Sequence, residues 1–126
     1  MFEFHADKRK YFEINIANTR QYILPFIEEK FTINSGMRVL EIGCGEGGVL
    51  KTFLDRGLQG VGVELDAVRL RDAAIYLAEE IRAGKVHFVS KDIYQTDLET
   101  DLGGSFDIII LKDVIEHIPN QQKLML

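Results

Sequence analysis

Between Val39 and Gly48 the chain reads V-L-E-I-G-C-G-E-G-G, and this stretch restricts the available folds more than any other. A short apolar run carrying one acid, Glu41, breaks into glycines at alternate positions, Gly43, Gly45 and Gly47. Such a pattern fits a buried strand that opens into a loop whose backbone must come close to something else. Glycine permits the approach because it has no Cβ and tolerates positive φ.

A repeating rhythm of strand and helix follows. Val39 to Ile42 reads as the first strand. Gly48 to Arg56 reads as a helix with Val49, Leu50, Phe53 and Leu54 on one side, stopped by Gly57. Gly60 to Glu64 is a second strand, apolar until its acid. Asp66 is placed to cap a long helix to about Ala83, with Leu70, Ala74, Leu77, Ala78 and Ile81 as its core stripe and Gly84 at its end. Val86 to Val89 is a third strand, Tyr94 to Leu102 holds a short helix, Phe106 to Leu111 is a fourth strand, and a last helix starts near Pro119. Ahead of all this, Ile23, Phe26, Ile27 and Phe31 define one apolar helical face, which Pro25 kinks or restarts.

Continuously apolar strands alternating with helices imply a parallel sheet covered on both faces. Right-handed crossovers then give an α/β, Rossmann-like doubly wound sheet. The expected organisation is an N-terminal helical segment over residues 1–35 and an α/β half-domain over residues 36–126. A full sheet of this kind orders its strands 3-2-1-4-5-6, and this chain supplies four. The fourth strand, F-D-I-I-I-L, is almost wholly apolar and would form an edge with no guarding lysine or proline before Lys112. The favoured expectation is that the chain is part of a longer protein, binding its ligand weakly and catalysing little alone. The alternative is self-association through that edge.

Composition narrows the function classes. Of 126 residues, 15 are Lys or Arg and 20 are Asp or Glu, giving a net charge of −5. That balance argues against a strongly basic nucleic-acid footprint. No run of 18 apolar residues exists, so no membrane span is expected, and the first residues do not form a secretory signal. The single cysteine, Cys44, excludes an internal disulfide and suits the reducing cytoplasm.

Two ligand classes use a glycine-rich turn after the first strand of such a sheet. Gly43, Gly45 and Gly48 satisfy G-x-G-x-x-G, the dinucleotide fingerprint, while Gly43, Gly45 and Gly47 satisfy an alternating pattern preceded by an acid. Spacing leaves both open; charge introduces a bias. A dinucleotide sets its pyrophosphate on the helix N-terminus, where this chain has Glu46. Two unit charges about 4 Å apart interact by roughly 4 kcal/mol at an effective dielectric near 20, more than a typical hydrogen bond of about 1 kcal/mol. An acid facing the ligand therefore disfavours a diphosphate and favours a cation, unless Glu46 turns to solvent.

From about Met37 to Ile118 the sequence resembles the class I S-adenosylmethionine-dependent methyltransferases. Glu41, Gly43, Gly45 and Gly47 match the family's first motif. Glu64, about 20 residues further on, matches the acid that closes the second strand and holds both ribose hydroxyls. Asp92 matches the adenine-binding acid, with Ile93 stacking beside the ring, and Phe106-Asp107 matches the fourth motif. The resemblance implies S-adenosyl-L-methionine as cofactor, with Cys44, Leu65 and Lys112 also at donor-contacting positions. The stretch Asp113 to Pro119, D-V-I-E-H-I-P, further resembles O-methyltransferases of small-molecule or lipid-like acceptors. A nicotinamide-dependent oxidoreductase and a non-catalytic nucleotide-binding module are the rival readings.

Each site residue also has a plainer role. Asp66 reads as a helix cap, Asp92 could satisfy its own turn, and Glu41 could hold the loop instead of the ligand. Cys44 fits a small-residue slot, since no histidine or basic residue stands next to it in sequence to activate a thiolate. His117 is the local candidate for a general base. Asp113, Glu116 and His117 share one face if helical and could ligate a divalent ion; the favoured reading has no metal. Arg69, Arg71, Glu79, Glu80 and Arg82 are expected to form a solvated helix face.

Overall fold

A computed structural model describes residues 2–111. Four strands form one parallel sheet in the order β3-β2-β1-β4. They are β1 (Arg38–Ile42), β2 (Gln59–Val63), β3 (Val86–Val89) and β4 (Ile108–Ile110). The helices are α1 (Phe2–Asn18), α2 (Leu24–Glu28), α3 (Gly48–Asp55), α4 (Ala67–Tyr76) and α5 (Ala78–Arg82). The sheet order and the position of every strand agree with the sequence-based expectation. β4 is shorter than expected: Phe106 and Asp107 serve as its lead-in.

The sheet separates two apolar clusters. On one face Val39 and Val86 meet Leu24, Val49, Leu50, Phe53, Leu54 and Leu58. On the other, Leu40, Ile42, Val61, Val63 and Val89 meet Leu102, with Ile93 and Phe106 against them. Alternate strand residues therefore serve opposite faces. Among the described residues, helices cover the first face, and a 3-10 turn (Ile93–Gln95) and the loop after it cover the second.

The glycines of β2 have a packing reason. A Cβ on Gly60 would sit 3.1 Å from Leu54 Cδ2 and 3.3 Å from Leu50 Cδ2, so α3 lies directly on this strand. A Cβ on Gly62 would sit 2.6 Å from Cys44 Sγ and 2.8 Å from Phe88 Cδ1. Helix and loop are drawn down onto a strand that has no side chains on that face.

Arg38 fastens β4. Its guanidinium donates to the carbonyls of Leu102 (2.7 Å), Gly103 (3.1 Å) and Ser105 (2.7 Å) and stacks over the Phe106 ring at 4.3 Å. Its backbone N–H donates to Asp107 Oδ2 at 2.9 Å, and Asp107 N donates back to Arg38 O at 2.9 Å. The chain is thereby pinned just before its fourth strand begins.

Several local expectations are corrected. Thr19 Oγ donates to Asn15 O at 2.6 Å, and a π-helical turn runs from Thr19 to Ile23. The wider turn shifts the helical phase, so Leu24 faces inward and Phe26 is 73% exposed; Pro25 does restart the helix as α2. The long helix after Asp66 breaks at Leu77. Its buried stripe uses Ala73, not Ala74, a choice that spacing of three or four from Leu70 cannot make. Beyond the break Ile81 is largely out of the core. The short helix expected over Tyr94 to Leu102 is replaced by turns. The Asp92 carboxylate captures Tyr94 N at 2.9 Å, and that of Asp97 captures Glu99 N at 2.9 Å and Thr100 N at 2.8 Å.

Gly62→Ala is expected to destabilise the protein by about 1–3 kcal/mol, because the new methyl has no room beneath Cys44 and Phe88. Urea unfolding checks this as a lowered midpoint at unchanged slope.

Candidate functional site

The site is assembled at the carboxyl ends of the strands, the usual binding edge of an open parallel sheet. β1 pairs with β2 so that Ile42 lies opposite Val63, and β2 with β3 so that Val63 lies opposite Val89. The ladder then continues into the loop. Gly43 N donates to Val63 O at 2.7 Å, Cys44 N to the same oxygen at 3.2 Å, and Glu64 N to Val89 O at 3.0 Å. Gly43, Gly45 and Gly47 take φ of 78°, 55° and 89°, which side-chain-bearing residues rarely adopt. Gly47 also opens α3, accepting from Lys51 N at 2.9 Å.

Glu64 is tied to this loop. Its Oε1 accepts from Gly45 N at 2.9 Å and its Oε2 from Asp66 N at 3.1 Å. The carboxylate is thus fixed at the strand end beside the glycine surface, with lone pairs left over for further donors. Asp66 next to it caps α4, its Oδ1 accepting from Val68 N at 2.9 Å and Arg69 N at 3.4 Å. Glu41 is buried in β1 and lines a small cavity with Gly43, Cys44, Glu46, Val49, Tyr11, Asn15 and Arg69. That cavity measures about 80 Å³. A broader recess of about 650 Å³ lies beside it and shares Tyr11, Glu46 and Arg69.

Glu46, read from sequence as a bare acid at the mouth of the loop, is 6% exposed and paired. Arg69 donates Nε to Oε1 at 3.2 Å and Nη2 to Oε2 at 3.0 Å, a two-pronged charge-assisted bond. These bonds hold the Arg69 guanidinium above its ordinary pKa. Arg69 therefore leaves the expected solvated face and turns over the loop. Its Nη1 comes within 4.0 Å of Glu64 Oε1.

The remaining candidates differ in what they touch. Cys44 is buried with its sulfur against Gly62, and burial, then the charges of Glu41 and Glu64, push its thiol well above the usual range. Leu65 is 68% exposed beside Glu64. Asp92 caps its own 3-10 turn, and Ile93 leans on the Leu40–Val89 cluster. Lys112, Asp113, Glu116 and His117 lie outside the described residues.

Sequence reasoning missed Arg69 and the contribution of α1. Tyr11 and Asn15 reach the cavity because α1 lies against the start of α3: a Cβ on Gly48 would sit 2.7 Å from Phe12 O and 2.8 Å from Asn15 Cβ. Phe12 is buried with its ring 4.7 Å from that of Tyr76, and Lys8 pairs with Asp72 at 3.0 Å. The glycine pair Gly47-Gly48 was the available signal that something closes over the helix start.

Residues 14–126 match a protein family described as a methyltransferase domain. The chain is 35% identical over 107 residues to a ubiquinone biosynthesis O-methyltransferase of Rickettsia bellii, covering 83% of this chain and 41% of that one. It is 28% identical over 102 residues to its counterpart in Chromobacterium violaceum, covering 81% and 42%. The chain thus spans about two fifths of the length of these curated relatives. Among solved structures, Haemonchus contortus phosphoethanolamine N-methyltransferase 2, in complex with phosphomonomethylethanolamine and S-adenosylhomocysteine, is similar with a TM-score of 0.67 and 29% identity. That match covers 80% of this chain and 23% of the other. Magnesium protoporphyrin IX methyltransferase of Synechocystis PCC 6803 with bound SAM shares the fold at a TM-score of 0.66 and 20% identity, covering 91% and 52%.

The raised Cys44 thiol leads to an expectation for its chemistry. At pH 8 the folded protein should resist alkylation by iodoacetamide, and urea-unfolded protein should react at the rate of an ordinary thiol. Mass spectrometry of timed aliquots checks both.

Proposed function

The chain belongs to the methyltransferase-domain family, and we propose that it binds S-adenosylmethionine at the Gly43–Gly47 loop so that the protein methylates a small-molecule or lipid-like acceptor, with oxygen as the favoured acceptor atom. The observation that carries this reading is the Glu64 carboxylate, fixed at the end of β2 and hydrogen-bonded at 2.9 Å to the backbone of Gly45. A carboxylate held there can accept from two neighbouring hydroxyls, each charge-assisted bond contributing about 1.5–3 kcal/mol. The oxygen preference rests on the O-methyltransferase names of the curated relatives.

The residues present suit such a ligand. Glu46 and Glu64 flank the bare surface of Gly45, and the cation found there, the Arg69 guanidinium, marks that surface as one that accepts positive charge. When bound, S-adenosylmethionine supplies a methyl group already activated by its sulfonium. The chain's task is therefore placement. The loop glycines let the ligand lie against the backbone, Glu64 holds the ribose, and Glu41 and Glu46 favour a positively charged partner. Asp92 and Ile93 are assigned to the adenine, Leu65 flanks it, and Cys44 keeps the floor of the loop small. Orientation of this kind can supply up to about 7–11 kcal/mol of a reaction barrier. The acceptor side, including His117 as the proposed base, falls on residues outside those described.

Calorimetric titration of the protein with S-adenosylmethionine and, separately, with NAD tests the reading. Donor binding is expected, and Glu64→Gln, which keeps an acceptor for Gly45 N, should weaken it at least tenfold, about 1.4 kcal/mol. Tight NAD binding, or donor affinity unmoved by Glu64→Gln, would overturn the assignment.

A further inference from the structure

The Arg69 side chain occupies the surface that the donor reading assigns to the ligand. A Cβ placed on Gly45 would run into its guanidinium, with Cζ only 2.8 Å away. The guanidinium therefore sits against the glycine surface that the loop keeps bare, Nη2 nearest, between the Glu46 carboxylate at 3.0 Å and that of Glu64 at 4.0 Å. It also forms a wall common to the small cavity and the broad recess. The small cavity, at about 80 Å³, is well below the roughly 300–1,000 Å³ of ligand pockets. With Arg69 withdrawn, the two spaces would meet over Gly45. The side chain is 38% exposed and springs from the first turn of α4, so it has room to swing outward.

We infer that Arg69 is an internal counter-ion holding the donor's place, so that the site selects a ligand able to exchange one cation for another. The inference rests on the donor reading above and adds a specificity-determining residue to it. Its physical basis is the cost of an uncompensated buried charge. Glu46 is 6% exposed, and a carboxylate so enclosed is stabilised only while a cation or hydrogen-bond donors face it. A ligand that displaces Arg69 and brings a sulfonium and an ammonium restores the balance. A diphosphate or a neutral ligand would displace the cation and leave the acids facing each other. Competition with Arg69 also lowers apparent affinity by the fraction of molecules in which the side chain has withdrawn.

The test has two arms. In ligand-free protein, a double-mutant cycle of Arg69→Gln and Glu46→Gln, read by urea unfolding, should give a non-zero coupling. In calorimetry, Arg69→Gln should bind S-adenosylmethionine about tenfold tighter than wild type, with a smaller gain for S-adenosylhomocysteine, which lacks the sulfonium charge. Arg69→Met, with an uncharged and flexible side chain, should behave like Arg69→Gln. Zero coupling in the cycle overturns the inference whatever the ligand does. Coupling with unchanged or weakened donor binding in both variants overturns it too, and marks Arg69 as a bystander or a ligand contact. An equal gain for both nucleosides overturns the exchange of charge. If neither wild type nor variant binds the donor while the coupling is present, the donor reading itself has failed and the exchange falls with it.

Discussion

The parallel register of β1 against β2 is the constraint from which the site follows. Because Ile42 lies opposite Val63, the chain leaving β1 arrives beside the chain leaving β2. Val63 O can then accept from both Gly43 and Cys44, and Glu64 can reach Gly45 N. A slip of one residue would exchange the two faces of the strand. Val39 would leave the α3 side, and Glu64 would no longer meet the loop. The loop's positive φ values, the start of α3 and the placement of the carboxylate are consequences of one strand pairing, which the apolar side chains on both faces of the sheet enforce.

Much of this was legible in the sequence. The four strands stand out as short, mostly apolar runs, the first two closed by Gly43 and Glu64, and the helices of a parallel sheet must lie between them. The glycine loop and Glu64 were legible because strand-end geometry allows few other uses for those residue types. What stayed hidden depends on side chains that meet across the fold. Arg69 sits three residues after a helix cap, where an arginine on a polar helix face has no visible reason to turn inward. Tyr11 and Asn15 belong to a helix of mixed charge and aromatics whose docking is decided by Phe12, Tyr76 and the bare start of α3. The phase shift before α2 comes from Thr19 bonding back to Asn15, a local choice that hydrophobic spacing cannot report.

The acids of the site are answered in part from within the chain. Glu41 and Glu46 are both buried and line one small cavity, and Glu64 lies 4.0 Å from the Arg69 guanidinium that also lines it. Packed together, carboxylates oppose folding unless something positive or donating faces them. The protein supplies part of that from its own chain, through Arg69 and through the backbone N–H groups that Glu64 accepts.

The two bare positions of β2 have a dynamic consequence. Gly60 and Gly62 give the central strand nothing of its own to grip on the helix side; Leu50, Leu54 and Cys44 descend to cover it. The strand's backbone is shielded from water there by groups belonging to α3 and the loop. Solvent can reach the amides between β1 and β2 from that side only when α3 lifts, so strand and helix open and close as one cooperative unit. A site built across that seam is held by the same packing, which makes the shape of the loop a property of the whole β1–α3–β2 layer.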